Sequence, residues 1–399
     1  MKKFINTLWF LAESNNVGGA ETRLVKVAST LAYDNRIKKI NILVTPELKL
    51  KYQNHKVISK LLDHPKIEVI VPSIQKSTVL SFIKRVVSIL SLNISVIEKF
   101  VLRNNSWFEY LNKNAESNDV FHCYIGDNAR NGLIQLTQRR KNKVIIEITN
   151  NRYLKRLSKQ FKLLSNKTYK HHDLLIRSVS KTVHENWTSE FENGWFKKRK
   201  IDVDYYRGAF IELKNDSKNY EKKNVIIFPH RFVNPKNGIL FSLAINELLN
   251  EGHLHGWKIL LRGNGPQKLK IESILKQWID EGSVEIGFSN TLFREFEEAK
   301  IVVSLIETGS YPSQSIFEAM QKGCALLLSD TGNTAEEFNH EDIFLTDLNK
   351  MDVKNNLLKL TNKTEIEFKR IEKEMRNYFK WFLSNRNQVD ELKKIYFDI

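Results

Sequence analysis

Cysteine is nearly absent from this 399-residue chain: there are two, Cys123 and Cys324, each alone in its stretch. That excludes a disulfide framework and a cysteine-based zinc site, and it fits a reducing cytoplasm. Missing too is any uncharged apolar run approaching the roughly 20 residues that span a bilayer. The opening, Met1-Lys-Lys before Phe4 to Ala12, has the outline of a short signal peptide, but a first buried strand followed by a glycine turn accounts for it better. Acidic residues are short relative to basic ones, 46 Asp and Glu against 63 Lys and Arg, for a formal net charge of +17. Such a surplus points to an anionic partner: an acidic substrate, anionic lipid or nucleic acid. No nucleic-acid reader motif accompanies it, so nucleic acid is not expected. Asp202-Val-Asp204 has the spacing of a metal and diphosphate grip, yet nothing around it supports that use, and no metal or cofactor is expected. Internal repeats and low-complexity tails are absent as well.

What is present exceeds a single core. A length of 399 residues with 41% hydrophobic content makes two globular domains of similar size the default. The most informative stretch is Lys300 to Phe338, KIVVSLIETGSYPSQSIFEAMQKGCALLLSDTGNTAEEF. Ile301 to Ile306 is a short β-branched run, suited to a buried parallel strand and too short for a helix. Glu307 to Pro312 supplies a loop punctuated by Gly and Pro. Ser313 or Ser315 can then cap a helix that runs to Lys322 and closes at Gly323. Cys324 to Ser329 is a second strand, Asp330-Thr-Gly332 a turn, and Thr334 a cap for the next helix. Two successive strand-loop-helix units place two loops and two helix N-termini on the carboxyl edge of one sheet. Open α/β folds bind ligands there, and exposed amides with the positive dipole end suit a phosphate. Capping boxes explain Ser315-x-x-Glu318 and Thr334-x-x-Glu337 too.

The remainder reads as alternating strands and helices. Phe4 to Ala12 is the first strand, and the helix from about Ala20 carries Leu24, Val27, Ala28 and Leu31 on one face. Gly18-Gly19 between them has a phosphate-approach geometry, with a tight turn as the plain alternative. Ile40 to Thr45, Ile67 to Val71, Asp119 to Ile125 and Leu174 to Ser180 are further strands, the last of them closing the first domain. Val79 to Leu102 is apolar with interrupting cations, and Arg152 to Lys170 interleaves Tyr, Leu and Phe with Lys and Arg. Anionic-membrane contact and ordinary helix faces account for both equally well. Lys214 to Lys223 is a polar linker. Val225 to Pro229 opens the second domain, and Arg231 and Lys236 follow its strand end. Two fixed cations there can stabilise negative charge building on a leaving diphosphate without a metal. Trp257 to Arg262 and Gly263-Asn-Gly265-Pro266 follow, then a helix from Leu292 to Ala299. After Phe338 come a short strand around Ile343 to Leu345 and helices, ending in a basic stretch with Tyr378, Phe379, Trp381 and Phe382.

Taken together, Glu318-Ala319-Met320, Gly323, Gly332-Asn-Thr-Ala-Glu336, Arg231 with Lys236, Gly263-x-Gly265-Pro266 and Gly18-Gly19-Ala20-Glu21 resemble the large retaining glycosyltransferase family numbered four. The length over which these motifs keep register favours a functional Glu318 over a cap alone. The resemblance implies the GT-B fold, two Rossmann-like doubly wound α/β domains facing across a cleft. It places an acceptor-side domain at residues 1–212, a linker at 213–223, a nucleotide-sugar domain at 224–375, and a C-terminal helix at 376–399 packing back on the first domain with its aromatic cluster. It implies that Arg231 and Lys236 hold the donor diphosphate and Glu318 the ribose. Tyr311, Ser313, Gln314 and Ser315 would surround the phosphate or sugar, Gly263 and Gly265 would line the donor site, and Glu336 would lie nearby. Gly18 and Gly19 would let backbone amides approach diphosphate or acceptor. In two places the chain departs from the pattern. Ser310 stands eight residues before Glu318 where the family has a carboxylate, with Glu307 three residues further upstream; one of the two would meet the donor sugar. Tyr124 stands where the family has a second histidine after His122 that touches the reacting sugar, so the resemblance implies that His122 and Tyr124 meet the substrate, although tyrosine is a poor base at neutral pH. The implied activity is transfer of a sugar from a nucleoside-diphosphate sugar to a lipid-linked or cell-surface polysaccharide, in the cytoplasm or peripherally at the inner face of a bacterial membrane. A non-catalytic partner subunit and a nucleotide-sugar epimerase of the same architecture are the alternatives.

Overall fold

The computed structural model describes residues 4–15, 17–72, 105–148, 173–187, 201–206, 220–307, 313–332, 334–385 and 387–397. The chain divides into two compact units, the first made of residues 1–206 and 388–399, the second of 207–387.

The first unit is built on strands β1 (Ile5–Ala12), β2 (Ile37–Val44), β3 (Ile67–Ile70), β4 (Val120–Ile125), β5 (Lys143–Ile148), β6 (Leu174–Ser178) and β7 (Asp202–Tyr205). They form one sheet in the order β3-β2-β1-β4-β5-β6-β7, with every neighbouring pair parallel. The second unit uses β8 (Lys223–Phe228), β9 (Lys258–Arg262), β10 (Val284–Gly287), β11 (Ala299–Ser304), β12 (Ala325–Ser329) and β13 (Ile343–Thr346). Its order is β10-β9-β8-β11-β12-β13, again parallel throughout. In each unit the chain starts in the middle, runs to one edge, then returns to the other side of its first strand. That reversal parts the loops at the carboxyl ends of β1 and β4, and of β8 and β11, and opens a crevice at each point.

The strands owe their form to burial on both faces. All six residues of β11 and all five of β12 are buried, which is why they read as continuous apolar runs rather than alternating ones. The second core joins Ile226, Phe228, Val302 and Leu327 to Phe317, Phe338, Phe379 and Phe382. The helix Glu365–Asn385 presents Phe368, Ile371, Met375, Phe379 and Phe382 to that core, a spacing of three and four residues that keeps them on one face. One face of the first sheet is closed by an apolar cluster that includes Trp9, Phe121, Leu133 and Ile146.

Several expectations are corrected. Leu174–Ser178 is not the last strand of the first sheet, because Asp202–Tyr205 adds a parallel edge strand beside it; a four-residue strand with two aspartates gives no hydrophobic pattern to read. The aromatic cluster near the end packs within the second unit, where Phe382 meets Phe317 and Phe338 at ring separations of 5.3 and 5.9 Å. It is the following helix, Gln388–Phe397, that belongs to the first unit. The contact division falls after Tyr206, ahead of the expected linker. The far end of that linker is already fixed in the second unit, since Lys222 Nζ donates to the carbonyls of Phe296 and Ala299. Strands β5 and β10 were not anticipated. Val79 to Leu102 and Arg152 to Lys170 lie almost wholly outside the described residues. Among the described residues no helix is long and apolar enough to cross a membrane.

Candidate functional site

In the second unit the loops after β8 and β11 are joined at the point where strand order reverses. His230, just beyond β8, sets its Nε2 2.8 Å from the hydroxyl of Ser304 at the end of β11. The chain then makes a short 3-10 turn, Asn234–Lys236, and Asn237 adopts a left-handed conformation at φ 53° that short polar residues tolerate. Asn237 Nδ2 donates to the Leu305 carbonyl at 3.2 Å, and the Glu307 N–H donates to the Pro235 carbonyl at 3.0 Å. These two bonds put Arg231, Lys236 and Glu307 on one edge. The turn after β9 packs beneath them: Phe232 N–H donates to the Asn264 carbonyl and Gln267 N–H to that of Phe232. A side chain at Gly263 would overlap the His230 carbonyl oxygen. Gly263 therefore serves the close approach of two backbones, and through it the Gly263-x-Gly265 turn supports the cation-bearing loop.

Electrostatics single out Lys236. Burial, and then the charge of Arg231, bring its pKa down to about 8. Arg231 itself is exposed. His230 is pushed well below the ordinary imidazole value, first by burial and then by Lys236, so it stays neutral at physiological pH. Neither Arg231 nor Lys236 forms an ion pair with a carboxylate among the described residues, while many other cations of the chain do. Two like charges held together at a strand end without a carboxylate form a site for an anion.

The loops after β11 and β12 are likewise stitched together. Ile306 N–H donates to Ser329 Oγ, and the hydroxyls of Ser329 and Thr331 both donate to the Ile306 carbonyl. The helix Gln314–Gln321 begins at Ser313, whose side chain makes no cap bond. The expected serine cap is replaced by a pairing of the Ser313 and Ser315 hydroxyls at 2.9 Å. Gln314 Nε2 donates to Glu318 Oε1 at 3.2 Å, so the Gln314 amide helps orient the half-buried Glu318 carboxylate. Thr334 turns its hydroxyl back to the Thr331 carbonyl, and Glu336 is exposed on the four-residue helix Thr334–Glu337. Glu307 is exposed; Ser310 and Tyr311 lie outside the described residues.

In the first unit the Glu21 carboxylate accepts the Gly18 N–H at 2.9 Å, the reach-back half of a capping box for the helix Gly19–Leu31. A side chain at Gly19 would meet open space. His122 and Tyr124 are fully buried, which corrects their reading as substrate contacts: both side chains belong to an internal ionic cluster. Its centre is Glu147 on β5, which pairs with Arg23, accepts the Tyr206 hydroxyl at 2.6 Å and lies 3.2 Å from His122 Nε2. His122 Nδ1 meets the Tyr396 hydroxyl at 2.6 Å. Arg177 donates to Glu391 at 2.6 Å and stacks over the Tyr206 ring, with Asp204 3.8 Å away. Burial alone would raise the Glu147 pKa, but Arg23, His122 and Tyr206 outweigh it and hold the carboxyl below its usual value. Burial lowers that of His122 against the pull of Glu147. Sequence reasoning missed Arg23, Glu147, Arg177, Tyr206, Glu391 and Tyr396. The available signal was a charge inside an otherwise apolar run, as in KVIIEI and LLIRS.

Two parallel Rossmann-like sheets with flanking helices, each reversing strand order around its first strand, match the structures of GT-B glycosyltransferases. A glycosyltransferase from Rickettsia africae ESF-5 superposes with a TM-score of 0.66 at 15% identity, over 98% of both chains. Anabaena HepE in complex with UDP and glucose gives 0.66 at 14% over 98% of both. The pneumococcal O-GlcNAc transferase GtfA in complex with UDP and GlcNAc gives 0.68 at 9%, again over 98% of both. Residues 209–380 match the family described as glycosyl transferases group 1, a span that holds Arg231, Lys236, Glu318 and Glu336. No curated protein matches the chain in sequence.

Proposed function

We propose that the protein is a retaining glycosyltransferase that moves a sugar from a nucleoside-diphosphate sugar to a glycan or lipid-linked glycan. The observation that carries this reading is the pair Arg231 and Lys236, brought together without a carboxylate partner at the strand-order reversal of the second unit. As the bond from sugar to diphosphate breaks, negative charge builds on the bridging oxygen, and the two cations stabilise it without a metal. Glu318, oriented by Gln314, holds the ribose hydroxyls. Ser313, Gln314 and Ser315 face the phosphate or sugar through their amides, and Glu307 or Ser310 meets the donor sugar. With His122 and Tyr124 enclosed in the ionic cluster, the acceptor proton passes to the leaving diphosphate on the same face of the sugar, which retains configuration. The matched structures with UDP make UDP-sugars the first donors to test.

The test is a screen of binding and turnover with UDP-, GDP-, dTDP- and CMP-sugars in the presence of cell-derived lipid acceptor, with Arg231→Ala, Lys236→Ala and Glu318→Ala alongside. One donor that stabilises and is turned over by the wild type, with both effects lost in Glu318→Ala and turnover lost in the cation variants, is the expected result. Full turnover in Arg231→Ala or Lys236→Ala with saturable donor overturns the charge-stabilisation role. Interconversion of the donor sugar without acceptor would reveal an epimerase. The second reading, a partner subunit without chemistry of its own, is favoured by the enclosure of Tyr124 and His122; binding of a donor without turnover under every condition would establish it.

A further inference from the structure

A cavity of about 480 Å³ opens in the first unit between two consecutive helices, Pro46–Asn54 and Lys56–Leu62, and the edge strand β3. Tyr52, Leu62 and Val69 give it apolar walls, and Lys49, Gln53, Ser59, Lys60 and Asp63 give it polar ones. Among the described residues the side chains of Lys49, Gln53, Lys60 and Asp63 have no ion pair or hydrogen bond within the chain. Neighbouring lysines are spent on protein partners. Lys51 Nζ donates to the Asn15 carbonyl and Lys66 Nζ to that of Asp34, while Lys39 pairs with Glu68.

A few polar groups converging on apolar walls in a volume of this size are the make-up of a small-molecule site. Two ammonium groups without an internal partner suit a phosphate. The Gln53 amide, the Ser59 hydroxyl and the Asp63 carboxylate offer the donors and acceptors that hydroxyl groups need, and the apolar walls suit the carbon face of a ring. Lys49, Tyr52 and Gln53 share one face of the helix Pro46–Asn54, being three and four residues apart. The same helix is bonded to the loop that follows β1. Thr45 Oγ1 at its N-cap donates to the Ser14 carbonyl at 2.8 Å, Lys51 Nζ to the Asn15 carbonyl at 2.6 Å, and the Tyr52 hydroxyl to the Glu21 carbonyl at 3.4 Å. Glu21 in turn accepts the Gly18 N–H. Tyr52 therefore belongs both to the cavity wall and to the support of the Gly18-Gly19 loop.

We propose that this cavity is an effector site for a small sugar phosphate, with Lys49 and Lys60 on the phosphate and Gln53, Ser59 and Asp63 on the hydroxyls, and that its occupancy steadies the Gly18-Gly19 loop through the helix Pro46–Asn54. The binding is independent of the transferase reading; only the loop's use toward diphosphate or acceptor rests on it. The experiment is titration calorimetry of the full-length protein with glucose 6-phosphate, inorganic phosphate and glucose, followed by amide hydrogen exchange of the saturated complex. Glucose 6-phosphate should bind more tightly than either inorganic phosphate or glucose. Lys49→Gln with Lys60→Gln should weaken it by roughly 25-fold, about fivefold per cation. Asp63→Asn should weaken glucose 6-phosphate without weakening inorganic phosphate. Arg231→Ala with Lys236→Ala should bind glucose 6-phosphate as the wild type does, which separates this cavity from the anion site of the second unit and from any failure of the transferase reading. Saturation should slow amide exchange at residues 17–22 as well as at 46–62. No binding, affinity no greater than for inorganic phosphate, unchanged affinity in the Lys49 and Lys60 double variant, or loss in the Arg231 and Lys236 double variant overturns the site. Slowed exchange confined to residues 46–69 overturns its link to the loop.

Discussion

Lys236 offers the sharpest test of the anion site, because its charge is set by its surroundings. A pKa brought from 10.5 to about 8 by burial and Arg231 corresponds to about 3 kcal/mol of disfavour toward the ammonium form, at 1.36 kcal/mol per unit. In the ligand-free protein below pH 8 that disfavour is carried in full. Between pH 8 and 10.5 the unfolded chain holds a proton that the folded one has lost, so this group makes stability rise with pH across that window. A bound diphosphate reverses the local field and draws the proton back. Donor affinity should therefore be flat below pH 8 and fall by up to tenfold per pH unit above it, until the pKa of the complex is reached. Binding should take up about half a proton at pH 8 and about nine-tenths at pH 9, as follows from a pKa near 8 in the free protein. Titration calorimetry in two buffers of different ionisation enthalpy reads this number directly. Lys236→Arg keeps the charge but does not titrate here, so its uptake should vanish. His230 contributes none, being neutral throughout this range. Absence of proton uptake in the wild type at pH 9, or the same uptake in Lys236→Arg, would refute a diphosphate at Lys236.

Other outcomes follow from the packing. Glu147→Gln strands Arg23 and His122 in the first core and should cost about 3–5 kcal/mol, read as a lower denaturant midpoint. Because Glu147 is held below its ordinary pKa, its contribution is present above the unfolded value near 4.5 and lost as pH falls through the folded one; an acid transition unchanged in the variant would contradict this. Gly263→Ala overlaps the His230 carbonyl and should weaken donor binding by displacing the Arg231 loop, so wild-type donor affinity would disprove that support. Phe382→Ala removes a ring shared with Phe317 and Phe338 and should destabilise by about 3–5 kcal/mol; a loss below about 1 kcal/mol would mean that the aromatic cluster does not seal the second core.

The second unit was legible in sequence because its strands are buried on both faces and its loops carry glycine, proline and capping residues. Ile301 to Ile306 and Cys324 to Ser329 became β11 and β12 within two residues at each end. The first unit was less so. Its ionic cluster joins residues as distant as Arg23, Glu147, Arg177 and Tyr396, and no local periodicity links them. β7 escaped because it is short and polar. The aromatic cluster was assigned to the wrong unit because a helix pattern shows which residues share a face and not what covers that face. Ser313 was read as a cap from its position, yet a second hydroxyl two residues on took its side chain instead.

Both units pair their interior cations, and one exception bears on function. In the first, the half-buried Arg23 meets Glu147 and the buried Arg177 meets Glu391; in the second, the buried Lys300 meets Glu365 and Lys322 meets Glu297. Such pairs must be satisfied internally, since an unpartnered buried charge costs several kcal/mol. The Arg177–Glu391 pair and the His122–Tyr396 contact also hold the last helix, Gln388–Phe397, to the sheet, so the cluster acts as structure. In the second unit Lys236 keeps a like-charged neighbour and gains no carboxylate among the described residues. While those cations are paired, the half-buried Lys236 has no carboxylate among the described residues, at a strand-order reversal where loops part and helix amides point outward. The missing negative charge is then supplied from outside, and a diphosphate is an anion of the size and charge that two adjacent cations and a helix N-terminus accommodate.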